Sequence, residues 1–394
     1  MAGATAFTIR AARLEEVPAV AELTHRAFAA GPYGHLPVSA ERRALVDAVA
    51  ERAADGAVLV AVEDGPGSSV GRADASGGRL LGTVSLVRAG SPQSRLAVGD
   101  EAELRLLAVA PEARGSGLGE ALALAAQEEA LTWGASAVVL DTGTLNHTSQ
   151  RLYERLGYER FTPTASGTTT DAAASAPADS AAPTDGAPSN ARPPAASEDQ
   201  IDHIDYRLPL RDRDDLVIRL VRDDEVDAVA ALSVRAYEYA YELSDEYRAS
   251  IADVAPRALE HQVWVAADAA SGELLGSVAT PRRGSTISPL AQPGELDFRL
   301  LAVDPPARGR GVGEELTRLA IELARLRGLD RVVMNSGPQM TGAHRLYAKL
   351  GFDRLHERER EIVDGDRRFR LLAFTIDVPH ALRVPRSADE TTAA

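Results

Sequence analysis

Two glycine-rich loops carry the most chemically suggestive spacing in this 394-residue chain: Arg114-Gly115-Ser116-Gly117-Leu118-Gly119 and Arg308-Gly309-Arg310-Gly311-Val312-Gly313. Each follows the apolar run Arg-Leu-Leu-Ala-Val, at 105–109 and 299–303, and each leads into helix-forming residues. Glycines let the backbone turn tightly and bring several N–H groups together, and a helix start adds partial positive charge. Such a loop can cradle an anion, best of all a pyrophosphate. It can equally be a tight turn between strand and helix. Two other phosphate motifs are excluded. No Lys-Ser/Thr follows the glycines, as a P-loop requires. The spacing is not Gly-x-Gly-x-x-Gly, and the loops lie late in their segments rather than after a first strand.

The surroundings of the loops repeat as well. Leu104 to Tyr158 aligns without a gap with Phe298 to Phe352, and close to half of the positions are identical. Tyr153 and Tyr347 fall at the same distance from their loops, each inside Arg-Leu-Tyr and ahead of Leu-Gly-Tyr or Leu-Gly-Phe. The chain holds two copies of one module, and its chemistry is to be read from what the copies share.

The elements that must position these residues follow from periodicity. Thr8-Ile9-Arg10 and Val217-Ile218-Arg219 read as short strands, each leading into a helix with an apolar stripe at i, i+3, i+4. Val58 to Val62 with Leu80 to Leu86, and Val263 to Ala267 with Leu274 to Ala279, read as hairpins. Leu104 to Val109 is a strand, Glu120 to Trp133 a helix with Gly134 as its C-cap, Val138 to Asp141 a buried strand, and Thr148 to Leu156 a short helix. This order predicts an α/β domain with a mixed sheet, made twice.

Residues 163–200 are almost wholly Ala, Ser, Thr, Pro, Asp and Gly, and they are expected to be disordered. The second copy continues to an extended run, Phe369 to Ile376, that reads as its closing strand. The matching strand of the first copy is Ile204 to Leu208, beyond the Ala/Ser/Thr/Pro-rich segment. The expected domains are therefore 1–211, with 163–200 as an insertion in its last hairpin, and 212–382, followed by a frayed tail at 383–394. The linker proper is Arg211 to Asp215.

A net charge of −15 argues against non-specific nucleic-acid binding and suits a basic substrate. The absence of cysteine excludes a disulfide framework, thiolate metal sites and a cysteine nucleophile. His25, His35, His147, His261 and His344 show no metal-ligand spacing, so no metal is expected. With no signal-peptide-like start and no apolar run of membrane-spanning length, the chain is expected to be cytoplasmic, as a monomer or homodimer.

Taken together, the motifs resemble those of the GNAT superfamily of acetyl-CoA-dependent N-acetyltransferases. Arg114, Gly117 and Gly119 after Leu-Ala-Val-x-Pro resemble its acyl-CoA signature R-x-x-G-x-G/A. Asn146, Ser149, Leu152, Tyr153, Leu156, Gly157 and Tyr158 resemble its second motif. The second copy matches through Arg308, Gly311, Gly313, Ala343, Leu346, Tyr347, Leu350, Gly351 and Phe352, with Met340 where the Asn is usual. The resemblance covers nearly all of both halves. It implies an α/β (α+β) fold of two consecutive domains, each a mixed, mostly antiparallel sheet flanked by helices.

Roles follow from the resemblance. The N–H groups of 114–119 and 308–313, including Gly115, Ser116, Leu118, Gly309, Arg310 and Val312, would hold the pyrophosphate of acetyl-CoA. Leu107 and Val109, with Leu301 and Val303, would pair with the pantetheine arm through their backbone, and Asn146 would touch the cofactor. Tyr153 and Tyr347 would protonate the departing thiolate. Glu103 and Asp297 stand near where some members carry a base, with Glu101 and Glu295 as the next candidates. The acceptor would be a small-molecule or protein amine, recognised through the least similar parts, 31–43 and 237–248. The alternative is an acyl-CoA-binding or sensing protein that is half-active or does no chemistry.

Overall fold

The computed structural model describes residues 6–64, 78–162, 201–364 and 367–379. The N-terminal half runs β1 (Phe7–Ala11), α1 (Val17–Ala29), α2 (Ala40–Asp47), α3 (Val49–Asp55), β2 (Gly56–Glu63), β3 (Leu80–Arg88), β4 (Ala102–Val109), α4 (Leu118–Trp133), β5 (Ala137–Gly143), α5 (His147–Arg155), β6 (Glu159–Phe161) and β7 (His203–Pro209). The C-terminal half repeats this as β8 (Leu216–Leu220), α6 (Val226–Glu238), α7 (Asp245–Ala252), α8 (Val254–Glu260), β9 (Gln262–Asp268), β10 (Leu274–Thr280), β11 (Glu295–Asp297), β12 (Arg299–Val303), α9 (Val312–Leu326), β13 (Arg331–Ser336), α10 (Thr341–Leu350), β14 (Asp353–Arg354), β15 (Arg360–Asp364) and β16 (Arg367–Asp377). Mixed sheets flanked by helices are the fold class that the sequence indicates.

In the first half the strand order is β1-β2-β3-β4-β5-β7-β6, antiparallel throughout except for the parallel β4–β5 pair. In the second half the same order is divided into β8-β9-β10-β12 and β11-β13-β16-β14, because one strand is interrupted at Phe298. The strand β7 lies along β5 from Ala137↔Pro209 to Gly143↔His203, just as β16 lies along β13. The strand completing the first sheet thus lies C-terminal to 163–200; the expectation for that segment itself falls outside the described residues, as does the whole of the expected tail at 383–394.

The helices form where the pattern demands. In α4 the apolar face Leu118, Leu122, Ala126 and Ala130 packs on Leu81, Val84, Leu104 and Val138 of the sheet. The helix ends at Gly134, whose φ of 75° is unstrained only for glycine. An added Cβ there would also meet Val217 Cγ1 of β8 at 2.8 Å, so glycine lets the two halves approach. Their contact is pinned by Glu128 of α4. Its carboxylate receives Arg327 at 2.8 Å and also Arg283, both from the second half, and Arg327 donates onward to Gln262 Oε1 at 2.6 Å. Burial alone would raise this carboxyl, but the two guanidinium groups outweigh it and hold it below its usual range.

Two helix pairs, α2–α3 and α7–α8, do not stand out in the sequence. Each pair is cross-linked by an arginine of its second helix. Arg52 donates to the carbonyls of Leu45 and Val46 and to Ser85 Oγ, and Arg257 donates to those of Ser250 and Ile251.

Candidate active site

Each site begins with a strand that parts from its neighbour. Pairing between β4 and β5 consists of Ala102↔Val138 and Glu103↔Val139 and then ends. Beyond it β4 stays paired with β3 alone, through a register shift. In the second half β11 follows β13 as far as Asp297↔Val333, after which the chain crosses to pair with β10 as β12. At each departure one leucine, Leu106 or Leu300, has φ of 54°. Such a backbone costs a non-glycine residue about 1–3 kcal/mol and persists only where its surroundings impose it. The sequence contains no sign of this strain beyond the repetition of Arg-Leu-Leu. The result is a strand edge, 104–109 or 300–303, whose N–H and C=O groups face a gap where a second strand would otherwise lie.

The glycine loop closes one end of that gap. Gly115 and Gly117 have φ of 79° and 84°, and Gly309 and Gly311 have φ of 82° each. Gly117 and Gly311 stand at the N-caps of α4 and α9 without a side-chain cap, so the first helical N–H groups remain available to a ligand. The third glycine, Gly119, lets its helix settle on the strand, with an added Cβ meeting Val109 and Leu152 at 3.7 Å; Gly313 does so against Val303 and Leu346 at 3.4 Å. Leu107, Val109, Leu301 and Val303 lie half-buried along this contact. The loop arginines face the other way. Arg114 donates to the carbonyls of Ala27 and Ala30 at the end of α1, at 2.6 and 2.9 Å. Arg308 donates to the Ala236 carbonyl at 2.8 Å and lies over the Tyr239 ring. Both side chains tie the loop to the preceding helix and neutralise its carbonyl end. Arg310 is engaged with Asp268 at 2.8 Å, and Ser116 Oγ donates to the Ala113 carbonyl. What these loops offer an anion is therefore backbone N–H and helix dipole.

The tyrosines at the opposite wall are deeply buried. Tyr153 packs edge-on to Tyr158 and beside Tyr206, and Tyr347 packs against Phe298, Phe352 and Phe374. Burial raises both phenols well above their usual range, with the charge of Asp141 adding to the effect at Tyr153 and the proximity of Tyr241 at Tyr347. Each therefore holds its proton firmly at neutral pH.

The matched carboxylates on the preceding strand serve the loops beside them. Glu103 Oε2 accepts from the Ser94 hydroxyl and the N–H groups of Arg95 and Leu96 at 2.6–2.9 Å. Asp297 accepts from the N–H of Ile287 at 3.0 Å in the same manner, and its other oxygen is buried with no partner. Burial raises the Asp297 carboxyl, the loop N–H groups only partly offsetting it. Glu101 pairs with Arg207 and Glu295 with Arg358, so both are ion-pairing residues. Asn146 is the N-cap of α5, its Oδ1 accepting from the Ser149 N–H at 3.4 Å, whereas Met340 leaves α10 without a side-chain cap. A helix cap thus accounts for this difference between the copies in terms of local structure.

Around the gap the two halves diverge. In the first, Asp141 of β5 contacts His203 Nδ1 and Arg95, each at 2.7 Å, and sits in register with Asp205 of β7. In the second, Asn335 and Ala373 occupy the matching positions. There Tyr237, Tyr241 and Tyr247 stack edge to face at 6.1–6.2 Å, in one cluster with Leu300 and Met340. The first half has Phe28 under the Arg42 guanidinium at 4.8 Å, and Tyr33, whose hydroxyl accepts from the Leu145 N–H at 2.7 Å. The His203–Asp141 pair escapes motif reading. The exchange of Asp141 for Asn335 within the aligned repeat is the signal that points to it. A surface hollow lined by Arg13, Glu16, Glu22 and Arg26 contains none of the loop or gap residues. Among the described residues no group of acidic or histidine side chains has the arrangement of a metal site, and no helix is long and apolar enough to cross a membrane.

Known proteins resemble this chain over parts of its length. Glucosamine 6-phosphate N-acetyltransferase 1 of rice is 37% identical over 108 residues, which is 27% of this chain and 62% of that protein. A mycothiol acetyltransferase of Cellulomonas flavigena is 39% identical over 85 residues, 21% of this chain and 24% of that one. The N-acetylaspartate synthetase of Danio rerio is 33% identical over 119 residues, 30% and 39% of the two chains. The chain thus spans less than two thirds of the length of these relatives. Among solved structures, the ribosomal-protein-S18-alanine N-acetyltransferase of Escherichia coli overlaps with a TM-score of 0.32 at 18% identity, covering 41% of this chain and 94% of that one. The yncA protein of Salmonella typhimurium, solved with its cofactor acetyl-CoA, overlaps with a TM-score of 0.31 at 19% identity, covering 42% and 95%. Residues 36–158 and 210–352, together more than half of the chain, match the model of the Acetyltransferase (GNAT) family, and the chain belongs to that family, with one match in each half.

Proposed function

We propose that each half binds acetyl-CoA and that the chain transfers the acetyl group to a primary amine by direct attack in a ternary complex. The observation that carries this reading is the repeated combination of a parted strand, a strained leucine at the point of parting, and a glycine loop at a helix start. Two units, 1–211 and 212–382, would each supply one such cleft.

The residues present fit the co-substrate. Its pyrophosphate would meet the N–H groups of 115–119 or 309–313, and its amide-bearing arm would complete the strand edge at Leu107 and Val109 or Leu301 and Val303. Acetyl-CoA supplies an activated acetyl thioester. An N–H beside the strained leucine would polarise the acetyl carbonyl, as a donor aimed at a developing oxyanion does. Tyr153 and Tyr347, kept protonated by burial, would donate to the leaving sulfur. The absence of cysteine supports direct transfer over a thiol-bound intermediate. The relatives are named for different substrates, so they support acetyl transfer and no single acceptor.

The test is release of free CoA thiol from acetyl-CoA by the full chain against a panel of primary amines. Amine-dependent release is expected. Binding of acetyl-CoA without release for any amine would instead favour a binding or sensing role.

A further inference from the structure

His203 has no part in the roles above, yet it is held beside the gap of the N-terminal half by a chain of polar contacts. Its Nδ1 lies 2.7 Å from Asp141 Oδ2, and Arg95 reaches the same oxygen at 2.7 Å. Arg95 is itself fixed by Glu103, which accepts from the N–H groups of Arg95 and Leu96. Asp141 stands two residues past Val139, where β5 and β4 part, so it lies at the first position of the open gap on that face of the sheet. Glu103 and Arg105 of β4 share that face by the same alternation. The side chain of Asp141 is largely buried, and that of His203 is about one-third exposed, at 32%. The C-terminal half has nothing equivalent. Asn335 replaces Asp141, and Leu371 stands two residues before Ala373, as His203 stands two before Asp205.

We propose that His203, oriented by Asp141, is the proton acceptor for the attacking amine in the N-terminal half. The acceptor class is then a primary alkylamine that arrives as an ammonium. An ammonium has no lone pair and cannot attack. Nε2 of His203 takes one N–H proton, and the freed lone pair forms the bond to the acetyl carbon. The carbon–sulfur bond breaks, the sulfur takes the proton that Tyr153 supplies, the nitrogen passes its second N–H proton to the Tyr153 phenolate, and His203 releases its proton to water. Asp141 favours the tautomer with hydrogen on Nδ1, which leaves the lone pair on Nε2, and it stabilises the imidazolium that forms. Burial works against the Asp141 charge, but His203, Arg95 and Arg105 outweigh it. The charged groups around the ring are Asp141 of β5, Asp205 of β7, Glu103 and Arg105 of β4, and Arg95 of the intervening loop. Carboxylates outnumber guanidinium groups there, which favours a cationic acceptor. Glu103 is then a positioning residue for this pair. The proposal rests on the acetyltransferase reading.

The test uses the full chain with acetyl-CoA in a Tyr347→Phe background, so that turnover reads the N-terminal half. Two nucleophiles are compared: the best alkylamine of the panel, protonated at neutral pH, and methoxyamine, which is not. His203→Gln is expected to lower kcat/KM for the alkylamine by roughly 100-fold at neutral pH, with the deficit narrowing as pH rises. Turnover of methoxyamine and affinity for acetyl-CoA should change little. Asp141→Asn should shift the same values in the same direction by less. Equal loss for both nucleophiles would make His203 a structural residue and overturn the proposal. Full alkylamine turnover in His203→Gln would overturn it as well, while leaving acetyl transfer intact. Failure of the wild-type chain to acetylate any amine would instead overturn the acetyltransferase reading on which the proposal rests.

Discussion

The two halves agree where acetyl-CoA would lie and differ where an acceptor would. The strained leucine, the open strand edge, the glycine loop and the buried tyrosine recur at matched positions, with φ values that coincide at Leu106 and Leu300. The surrounding wall does not recur. The first half presents Asp141, His203, Asp205 and Arg95, and the second presents Asn335, Ala373 and a packed set of three tyrosines. A backbone-defined cradle survives duplication because glycine spacing and one strand irregularity specify it. A side-chain-defined wall is free to change, because no backbone geometry depends on it. The chain thus combines two like glycine-loop clefts with unlike walls around them.

The comparison is sharpened first by the tyrosines. Tyr153→Phe and Tyr347→Phe keep the ring and remove the proton. Each is expected to lower kcat of its own half by roughly 100-fold with acetyl-CoA affinity unchanged. If amine panels are run on the two single variants, the surviving activities should prefer different amines. Identical preferences would break the claim of unlike faces.

The contact between halves comes next. Glu128→Gln leaves two arginines facing a neutral amide and is expected to cost about 3 kcal/mol in chemical denaturation, as removing one partner of a buried pair does. The folded carboxyl lies below its ordinary range, so its contribution is complete above the unfolded value of 4.5 and is lost as pH falls through the lower folded value. Wild-type stability should therefore fall more steeply in acid than that of the variant, and parallel curves would show that the ion cluster contributes nothing.

A smaller effect separates the two loop-holding carboxylates. Glu103 and Asp297 each keep one buried oxygen without a hydrogen-bond partner, but that of Glu103 lies 3.4 Å from the Arg105 guanidinium, whereas burial raises the Asp297 carboxyl. Glu103→Gln is expected to lose about 1–3 kcal/mol in thermal denaturation. A raised folded value means that stability declines as pH rises through it, so Asp297→Asn should match or exceed the wild type at neutral pH. Collapse of C-terminal turnover in a stable Asp297→Asn would identify that residue as the general base of its half.

The smallest effect concerns the Ala/Ser/Thr/Pro-rich segment. Replacing 165–199 by a short Gly-Ser loop within the full chain is expected to change stability by less than about 1 kcal/mol, since closure entropy varies slowly with loop length. A loss of several times that amount would mean that the segment packs on the fold.

Much of this architecture is legible from residue order. The helix predicted over Glu120 to Trp133 is α4, two residues longer at its start, and the strands predicted at Ile204 to Leu208 and Phe369 to Ile376 are β7 and β16. These elements announce themselves because one face is apolar, and Gly134 marks the end of α4. The α2–α3 and α7–α8 pairs are missed because their helices are seven or eight residues long and are held by Arg52 and Arg257 bonding to backbone, which leaves no periodic trace. The positive φ of Leu106 is invisible because leucine is not a residue that advertises it. The side chains of Arg114 and Asn146 bind the α1 carbonyls and cap α5, contacts that the motif does not disclose. The pairing of His203 with Asp141 needs β7 laid beside β5, a contact spanning 62 residues that local pattern does not supply.

The central claim is that two equivalent acetyl-CoA clefts exist in one chain. Isothermal titration of the full chain with acetyl-CoA tests it most directly, together with Gly117→Asp and Gly311→Asp, which place a charged, β-carbon-bearing residue at φ of 84° and 82°. The account expects about two sites per chain in the wild type and about one in each variant, as for two independent anion cradles. A single site in the wild type, abolished by one variant and untouched by the other, would contradict it.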